Sequence, residues 1–375
     1  MSASTITNRF EERRLPLRLS ADDQQLQKVV RDFLAAVVPS PTGDSARWAV
    51  LDPQGRIWGR IGGELGLQSL AVAEEFGGQG FGVASLAVVF EELGRVTCAA
   101  PLFGTVALAG RVLTRLPGGG ARDTLLASIA EGSLRATVVV ADDATLVDGM
   151  LTLRASAVVD AVGADVLVVV ARGQVLSVRT DADGVTITEQ DGLDLTRSLG
   201  SVQLDGAPAE LLAEDAADAV ARGLAEATVL LAAELTGVAR AALAEAVDYS
   251  KLRTQFGRQI GSFQALKHRM ADMLVAAEGA WSTTRHAALL CDERDAPSSA
   301  ELTLAVGVAK AAASSAAVFA TGENVQIHGG IGFTWEHSAH LRFRRARCAA
   351  VLLGTAGEHR ARNAALLTGG THGHA

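Results

Sequence analysis

Cysteine is scarce in this chain, and the three present, Cys98, Cys291 and Cys348, lie far apart without the spacing of metal ligands. A disulfide framework and a zinc or other metal site are therefore not expected, and the thiols are read as buried. Runs of positive charge are missing as well. The 34 lysines and arginines against 42 aspartates and glutamates leave a formal net charge of -8, which argues against a nucleic-acid or anionic-membrane surface. No stretch approaches roughly 18 uninterrupted apolar residues, and the first residues carry Glu11, Glu12, Asp22 and Asp23 among their arginines in place of an apolar signal core. A cytoplasmic protein without a membrane segment is the expectation. Aromatic residues make up only 4% and prolines number 8 against 39 glycines, so the apolar content of 49% rests on alanine, leucine and valine. That profile predicts a mainly α protein.

At 375 residues the chain exceeds the usual size of one core, and two or three packed subdomains are expected. From Ser20 to Val38 apolar residues recur at helical spacing behind a Ser and Asp start signal, which predicts a capped amphipathic helix. Glu64-Leu-Gly-Leu67, Glu74-Glu-Phe76 and Phe90-Glu-Glu-Leu-Gly-Arg95 then alternate short helical pieces with the loop Gly77-Gly78-Gln79-Gly80. That loop is read as a sharp turn needing positive φ and not as a phosphate cradle. After Pro117-Gly-Gly-Gly120 and one further helix the period shortens. Ala136-Thr-Val-Val-Val140, Val166-Leu-Val-Val-Val170 and Val185-Thr-Ile-Thr188 are β-branched runs parted by Asp148-Gly149 and Asp183-Gly184 turns. Asp194-Leu-Thr-Arg197 and Val202-Gln-Leu-Asp-Gly-Ala207 are read as closing strands. From Leu211 onward the pattern is helical, with a turn at Asp295-Ala-Pro-Ser298 and a glycine corner at 329 to 332. The expected division is an N-terminal helical domain over 1–133, a middle β domain over 134–210 and a C-terminal four-helix bundle over 211–375.

Two segments carry chemistry. The first is Tyr249-Ser-Lys-Leu-Arg-Thr-Gln-Phe-Gly-Arg-Gln-Ile-Gly-Ser-Phe-Gln264, followed by Lys267-His-Arg-Met-Ala-Asp-Met273; the second is Val325-Gln-Ile-His-Gly-Gly-Ile-Gly-Phe-Thr-Trp-Glu336. Taken singly, an arginine is a solvated charge and a Phe-Gly pair a packing corner, while Gly-Gly-Ile-Gly lacks the preceding strand and the spacing of a dinucleotide fingerprint. Their order is the specific signal, and in that order they resemble the acyl-CoA dehydrogenase family, flavoenzymes that oxidise an acyl thioester to its enoyl form. The resemblance implies the acyl-CoA dehydrogenase fold, FAD as cofactor, an acyl-CoA substrate and an electron-transferring flavoprotein as acceptor.

It also implies roles for particular residues. Arg253 offers a planar donor fork suited to diphosphate oxygens, and the family's matching arginine reaches the FAD of a neighbouring subunit. Gln255 belongs to the same cofactor-facing set, Phe256 and Ile260 would cover apolar cofactor surface, and Gln264 would pair with the adenine. On the second segment Gln326, Ile327 and the backbone of Gly329 and Gly330 would face the same cofactor, glycine permitting close approach.

Two family features are missing. Members seat their own flavin ring with Thr-Glu-Pro and Gly-Ser-Asp stretches and a following Trp, whereas the corresponding region here reads Val139-Val-Ala-Asp-Asp-Ala144 and Val158-Val-Asp-Ala-Val-Gly-Ala-Asp165. Counting from Gly329, the family's C-terminal base falls at the 24th residue, which is Leu353, ahead of Gly354 and Thr355. Removal of the proton beside the thioester carbonyl needs a carboxylate, which leucine lacks. Some members carry the base early in the helix leading to Tyr249, at a slot held here by Ala227. Glu226 is rotated from that slot by about 100°, and Glu234 shares its face about 10 Å further along. Both are read first as helix-surface or interhelical carboxylates, with Glu234 kept as a candidate base. Glu358 and His359 follow Thr355 with nothing in the sequence to position them. Three readings stay open. One is a subunit of an α2β2 acyl-CoA dehydrogenase, of the type known for steroid side-chain degradation in actinobacteria, whose second subunit supplies the base. The others are a self-sufficient homotetramer or dimer with a relocated base, and a structural pseudoenzyme.

Overall fold

The computed structural model describes residues 15–38, 55–293 and 298–369. Glu11, Glu12 and the turn residues Asp295 to Pro297 lie outside the described residues. In chain order come helix α1 (Ala21–Val37), short helix α2 (Arg56–Arg60) running into a π-helical turn (Ile61–Leu65), α3 (Val83–Arg95), a π-helical segment (Phe103–Ala109) continued by α4 (Gly110–Arg115), and α5 (Gly120–Glu131). Eight strands follow: β1 (Ala136–Val140), β2 (Thr145–Val147), β3 (Met150–Val159), β4 (Val166–Ala171), β5 (Gln174–Arg179), β6 (Val185–Gln190), β7 (Leu199–Pro208) and β8 (Glu210–Ala213). The 36-residue helix α6 (Ala217–Leu252) leads to the small hairpin β9 (Thr254–Gln255) and β10 (Arg258–Gln259). Helices α7 (Gln264–Cys291), α8 (Ser299–His328), α9 (Ala339–Ala349) and α10 (Ala356–Thr368) complete the chain. The fold is mainly α with a β region in the middle.

By compactness the described residues form two units, one within Met1–Val50, Gly82–Cys98 and Thr228–Ala375, the other within Leu51–Phe81 and Ala99–Ala227. The second unit holds two four-stranded sheets, ordered β1-β4-β5-β8 and β2-β3-β7-β6, with β1 and β4 parallel and the remaining pairs antiparallel. Strand β3 shows why they stack. Its alternation buries Leu151 and Leu153 and exposes Thr152 and Arg154, and those leucines join Val169, Leu176, Val202 and Leu204 in one apolar core. The Gly77 to Gly80 turn bears out its reading, with φ of 76° at Gly77 and 68° at Gly80; a Cβ on Gly78 would meet Val72 O at 2.0 Å. Two expectations are corrected. Asp194 to Arg197 is a turn and not a strand, because Asp194 Oδ1 accepts from Thr196 N at 2.9 Å and Thr196 Oγ1 at 2.6 Å, a local alternative to strand pairing. Leu211 opens no helix; it lies in β8, paired with β5, and α6 begins at Ala217. A three-residue apolar run has no period of its own and takes the conformation its neighbours offer.

In the first unit, α1 is capped as its sequence predicts, Ser20 Oγ accepting from Asp23 N at 3.0 Å. The start of α3 is capped from far away: Asp292 Oδ1 and Oδ2 accept from Val83 N and Ala84 N at 2.7 and 2.8 Å. Helices α3 and α6 touch backbone to backbone, since a Cβ on Gly94 would lie 2.0 Å from Glu234 O and one on Gly237 1.9 Å from Glu91 O. Two helical runs, Ala217–Leu252 and Ser299–Phe333, are long and apolar enough by composition to cross a membrane, and most of each apolar window is buried inside the protein. Helices apolar all round are what a core helix requires. Cys98 and Cys291 are buried and Cys348 is half-buried.

Gly237→Ala should destabilise the chain by about 3 kcal/mol, since overpacked backbone can relieve the clash only by separating the helices. Thermal and urea unfolding of the variant against the parent check this, and Gly279→Ala, where a Cβ meets nothing within 4 Å, is the control expected to be neutral or mildly stabilising.

Candidate functional site

Helix α6 delivers the first segment. Arg253 follows its last turn, Arg253 N donating to Tyr249 O at 2.9 Å, and the chain then folds into the β9–β10 hairpin, with Ile260 N donating to Arg253 O at 2.9 Å. At the tip, Phe256 and Gly257 both have positive φ, 51° and 75°, the geometry of a tight two-residue hairpin turn that suits the strands' twist. Phe256 is 90% exposed there. Arg253, Gln255 and Gln264 are exposed too, and no carboxylate pairs with Arg253 among the described residues.

Helix α8 delivers the second segment and stops at Gly329, whose φ of 64° with ψ of -141° lies in a region essentially closed to residues with a Cβ. Gly329 and Gly330 are exposed with open space around them, Gln326 is exposed, and Phe333 is 77% exposed. The two segments meet, because the Tyr249 ring stacks on the His328 ring at 4.1 Å. Ile260 and Ile327 are placed differently: both are buried, so they pack beneath the surface and do not face it. An unpaired guanidinium, an exposed aromatic tip and bare glycine backbone form a surface suited to a ligand with a diphosphate and a flat apolar ring. FAD has both.

Around Leu353 the backbone is held by buried donors. Lys310 is fully buried, and its ammonium donates to Ser314 Oγ at 3.0 Å, Ala350 O at 3.0 Å, Gly354 O at 3.1 Å and Ala349 O at 3.3 Å. Burial pushes this amine down to about 8. His359 Nε2 donates to Leu353 O at 2.9 Å, and Leu353 sits at φ of 55°, Gly354 at 99°. The left-handed conformation at a leucine costs about 1 to 2 kcal/mol, which these anchors offset. Glu358 and His359, which the sequence leaves without a position, are both committed here. Glu358 closes a capping box with Thr355, accepting from its backbone N at 2.7 Å; those bonds hold its carboxyl below its ordinary range.

The other two carboxylates are spent on arginines. Glu226 is completely buried in the second unit, Oε2 accepting from Arg111 Nε at 2.9 Å and Oε1 from Arg222 Nε at 3.1 Å and from Arg115. Glu234 is buried in the first unit and accepts from Arg345 Nε at 2.9 Å. Both are interhelical groups and neither is on a helix surface. Ala227 is likewise fully buried.

Residues 20–133 match the acyl-CoA dehydrogenase N-terminal domain and residues 214–367 the acyl-CoA dehydrogenase C-terminal domain. The chain belongs to the acyl-CoA dehydrogenase family of oxidoreductases. Among its relatives, acyl-CoA dehydrogenase IpdE2 of Mycolicibacterium smegmatis is 37% identical over 341 residues, which cover 88% of this chain and 94% of that protein. Of solved structures, the ChsE4-ChsE5 complex from Mycobacterium tuberculosis is similar with a TM-score of 0.82 at 25% identity, covering 94% of this chain and 99% of that one. The Tcur3481-Tcur3483 steroid ACAD reaches 0.81 at 27% identity, covering 93% and 98%.

Sequence reasoning did not find Lys310, Asn324 or the role of His328. Nothing local marks them, since their partners lie as much as 79 residues away, as with Asn324 and Glu245.

Two variants probe the buried charges. Glu234→Gln should cost about 3 kcal/mol or more in unfolding free energy by leaving Arg345 without its carboxylate, while turnover of an assembled complex stays within about threefold; a loss of about a hundredfold would instead mark a general base. For Lys310, the folded amine releases its proton near 8 while the unfolded one keeps it to 10.5. Between these values the unfolded state binds more protons, so the parent should gain stability relative to Lys310→Met as pH rises, at most about 1.4 kcal/mol per unit. Urea titrations at about pH 7.5 and 9.5 measure the sign.

Proposed function

We propose that this chain is one subunit of a hetero-oligomeric acyl-CoA dehydrogenase, covering a cofactor while a second subunit supplies the catalytic base for α,β-dehydrogenation of an acyl-CoA. The observation that carries the reading is a contrast between two sets of groups. The cofactor-type surface is exposed and chemically intact at Arg253, Phe256, Gly329 and Gly330. The carboxylates that would take a proton are not available: Leu353 has none, and Glu226 and Glu234 are bound to buried arginines. Bound FAD would supply the hydride acceptor. On this chain Arg253 would grip diphosphate oxygens in a charge-assisted fork, Phe256 would cover an apolar ring face and exclude water, and the glycine backbone would admit the cofactor closely. The Leu353 side chain offers no lone pair, and in this reading the α-proton would leave to a carboxylate of the second subunit.

The similarity to a ChsE4-ChsE5 complex supports a two-chain assembly, and the steroid ACAD among the similar structures makes a steroid-derived acyl-CoA the first substrate class to test. An electron-transferring flavoprotein is the acceptor this reading carries with it.

Expressed alone, the chain should hold less than one FAD per subunit and show little dehydrogenation of any acyl-CoA, both read from flavin absorbance and dye reduction. Co-expression with a second acyl-CoA dehydrogenase-like chain should restore both. In that complex Arg253→Ala should weaken FAD roughly tenfold to a hundredfold, the factor for one charge-assisted contact of about 1.5 to 3 kcal/mol. A yellow, active preparation of this chain alone would overturn the two-chain reading.

A further inference from the structure

The corner where the two cofactor-type segments meet is built from four side chains, on α6, on α8 and on the turn that precedes α9. Tyr249, the chain's one tyrosine, lies four residues before Arg253, and His328 lies one residue before Gly329. Their rings stack at 4.1 Å with 28° between planes, and His328 lies 4.2 Å from His337 on its other side. Each imidazole is oriented separately. His328 Nδ1 donates to Asn324 O at 2.8 Å. His337 Nδ1 accepts from Ala339 N at 3.1 Å, and burial, with His328 and Arg342 alongside, holds this ring below the ordinary imidazole value against the pull of Glu245. Behind the stack, Glu245 of α6 accepts from Asn324 Nδ2 at 2.7 Å, Ser338 Oγ at 2.8 Å and Arg342 Nε at 3.3 Å. Its carboxylate thus ties α6 to α8 and to α9 one turn before Tyr249.

We propose that the Tyr249–His328–His337 stack is a positioning device that sets the Arg253 hairpin against the Gly329–Gly330 corner, so that the guanidinium fork and the glycine backbone address one dinucleotide together. The inference rests on these segments facing a cofactor. Neither can orient itself. A hairpin of two residues per strand is marginal alone, and its tip residue Phe256 is almost wholly exposed. Gly329 has the widest backbone freedom of any residue. Both therefore take their orientation from the helix ends that precede them, and Tyr249 and His328 are where those ends touch.

The test uses His328→Ala, His328→Phe and Arg253→Ala in the full chain and in its assembled complex. With 3-fluorotyrosine incorporated, Tyr249 gives a single fluorine resonance that reports the stack directly. His328→Ala should move that resonance, speed amide exchange at both 253–260 and 329–333, and weaken retention of FAD about three- to tenfold, the factor for one lost aromatic pair. His328→Phe keeps a ring on Tyr249 and should restore exchange and FAD retention to within about twofold. Should His328→Ala fail to fold, Tyr249→Leu removes the stack from its half-exposed side and is read by amide exchange and FAD retention. Unchanged exchange in both segments overturns the proposal. Unchanged FAD retention in His328→Ala also overturns it. If Arg253→Ala still weakens FAD in that case, the cofactor-facing surface stands and only the positioning role falls; if it does not, both fall.

Discussion

Helices α3 and α6 approach until backbone touches backbone at Gly94 and Gly237, and there is no room for a methyl group on either side. That contact sets the height of α6 in its unit, and much of the chemistry hangs from α6. The close approach brings Arg240 Nη1 to Glu91 Oε1 at 2.7 Å, and the next helical turns carry Glu245 and Tyr249 to the corner with His328. Separating the two helices by the width of a Cβ would disturb each of these pairings, because hydrogen bonds fall off steeply beyond about 3.2 Å.

Buried charge in this chain serves order. Glu226 gathers three arginines, Glu234 one, and the Lys310 ammonium gathers carbonyls at the end of α9. A carboxylate locked to a guanidinium has its lone pairs occupied, and freeing it to take a proton would leave a buried cation uncompensated at a cost of about 3 to 5 kcal/mol. The groups that remain free are exposed: Arg253 at a hairpin, Phe256 at its tip and the glycine corner. Rigid interior and open rim are what the proposed covering surface needs, since a rim that is already oriented loses less entropy when a ligand is ordered against it.

Much of this was legible in the order of residues. The Ser20 cap, the positive-φ turn at Gly77 to Gly80, the β-branched strands and the two cofactor-type segments all rest on interactions within a few residues, and local chemistry states them directly. Leu353 was legible for a different reason: it is an absence at a counted position. The small misses follow the same rule. Asp194 made a turn through its own side chain, and Leu211 joined a sheet because β5 offered it an edge.

The sequence by itself determined the family, the mainly α fold with its central sheets, and which residues compose the cofactor-type segments. Only the tertiary structure decided what each of them does in place. It put Ile260 and Ile327 inside and Arg253 outside, gave Glu226 and Glu234 to arginines more than 100 residues distant, and fixed Leu353 through Lys310 and His359. Burial and ion pairing depend on which surfaces meet after the chain has closed, and contacts across such separations leave no periodicity in one sequence for local reasoning to find.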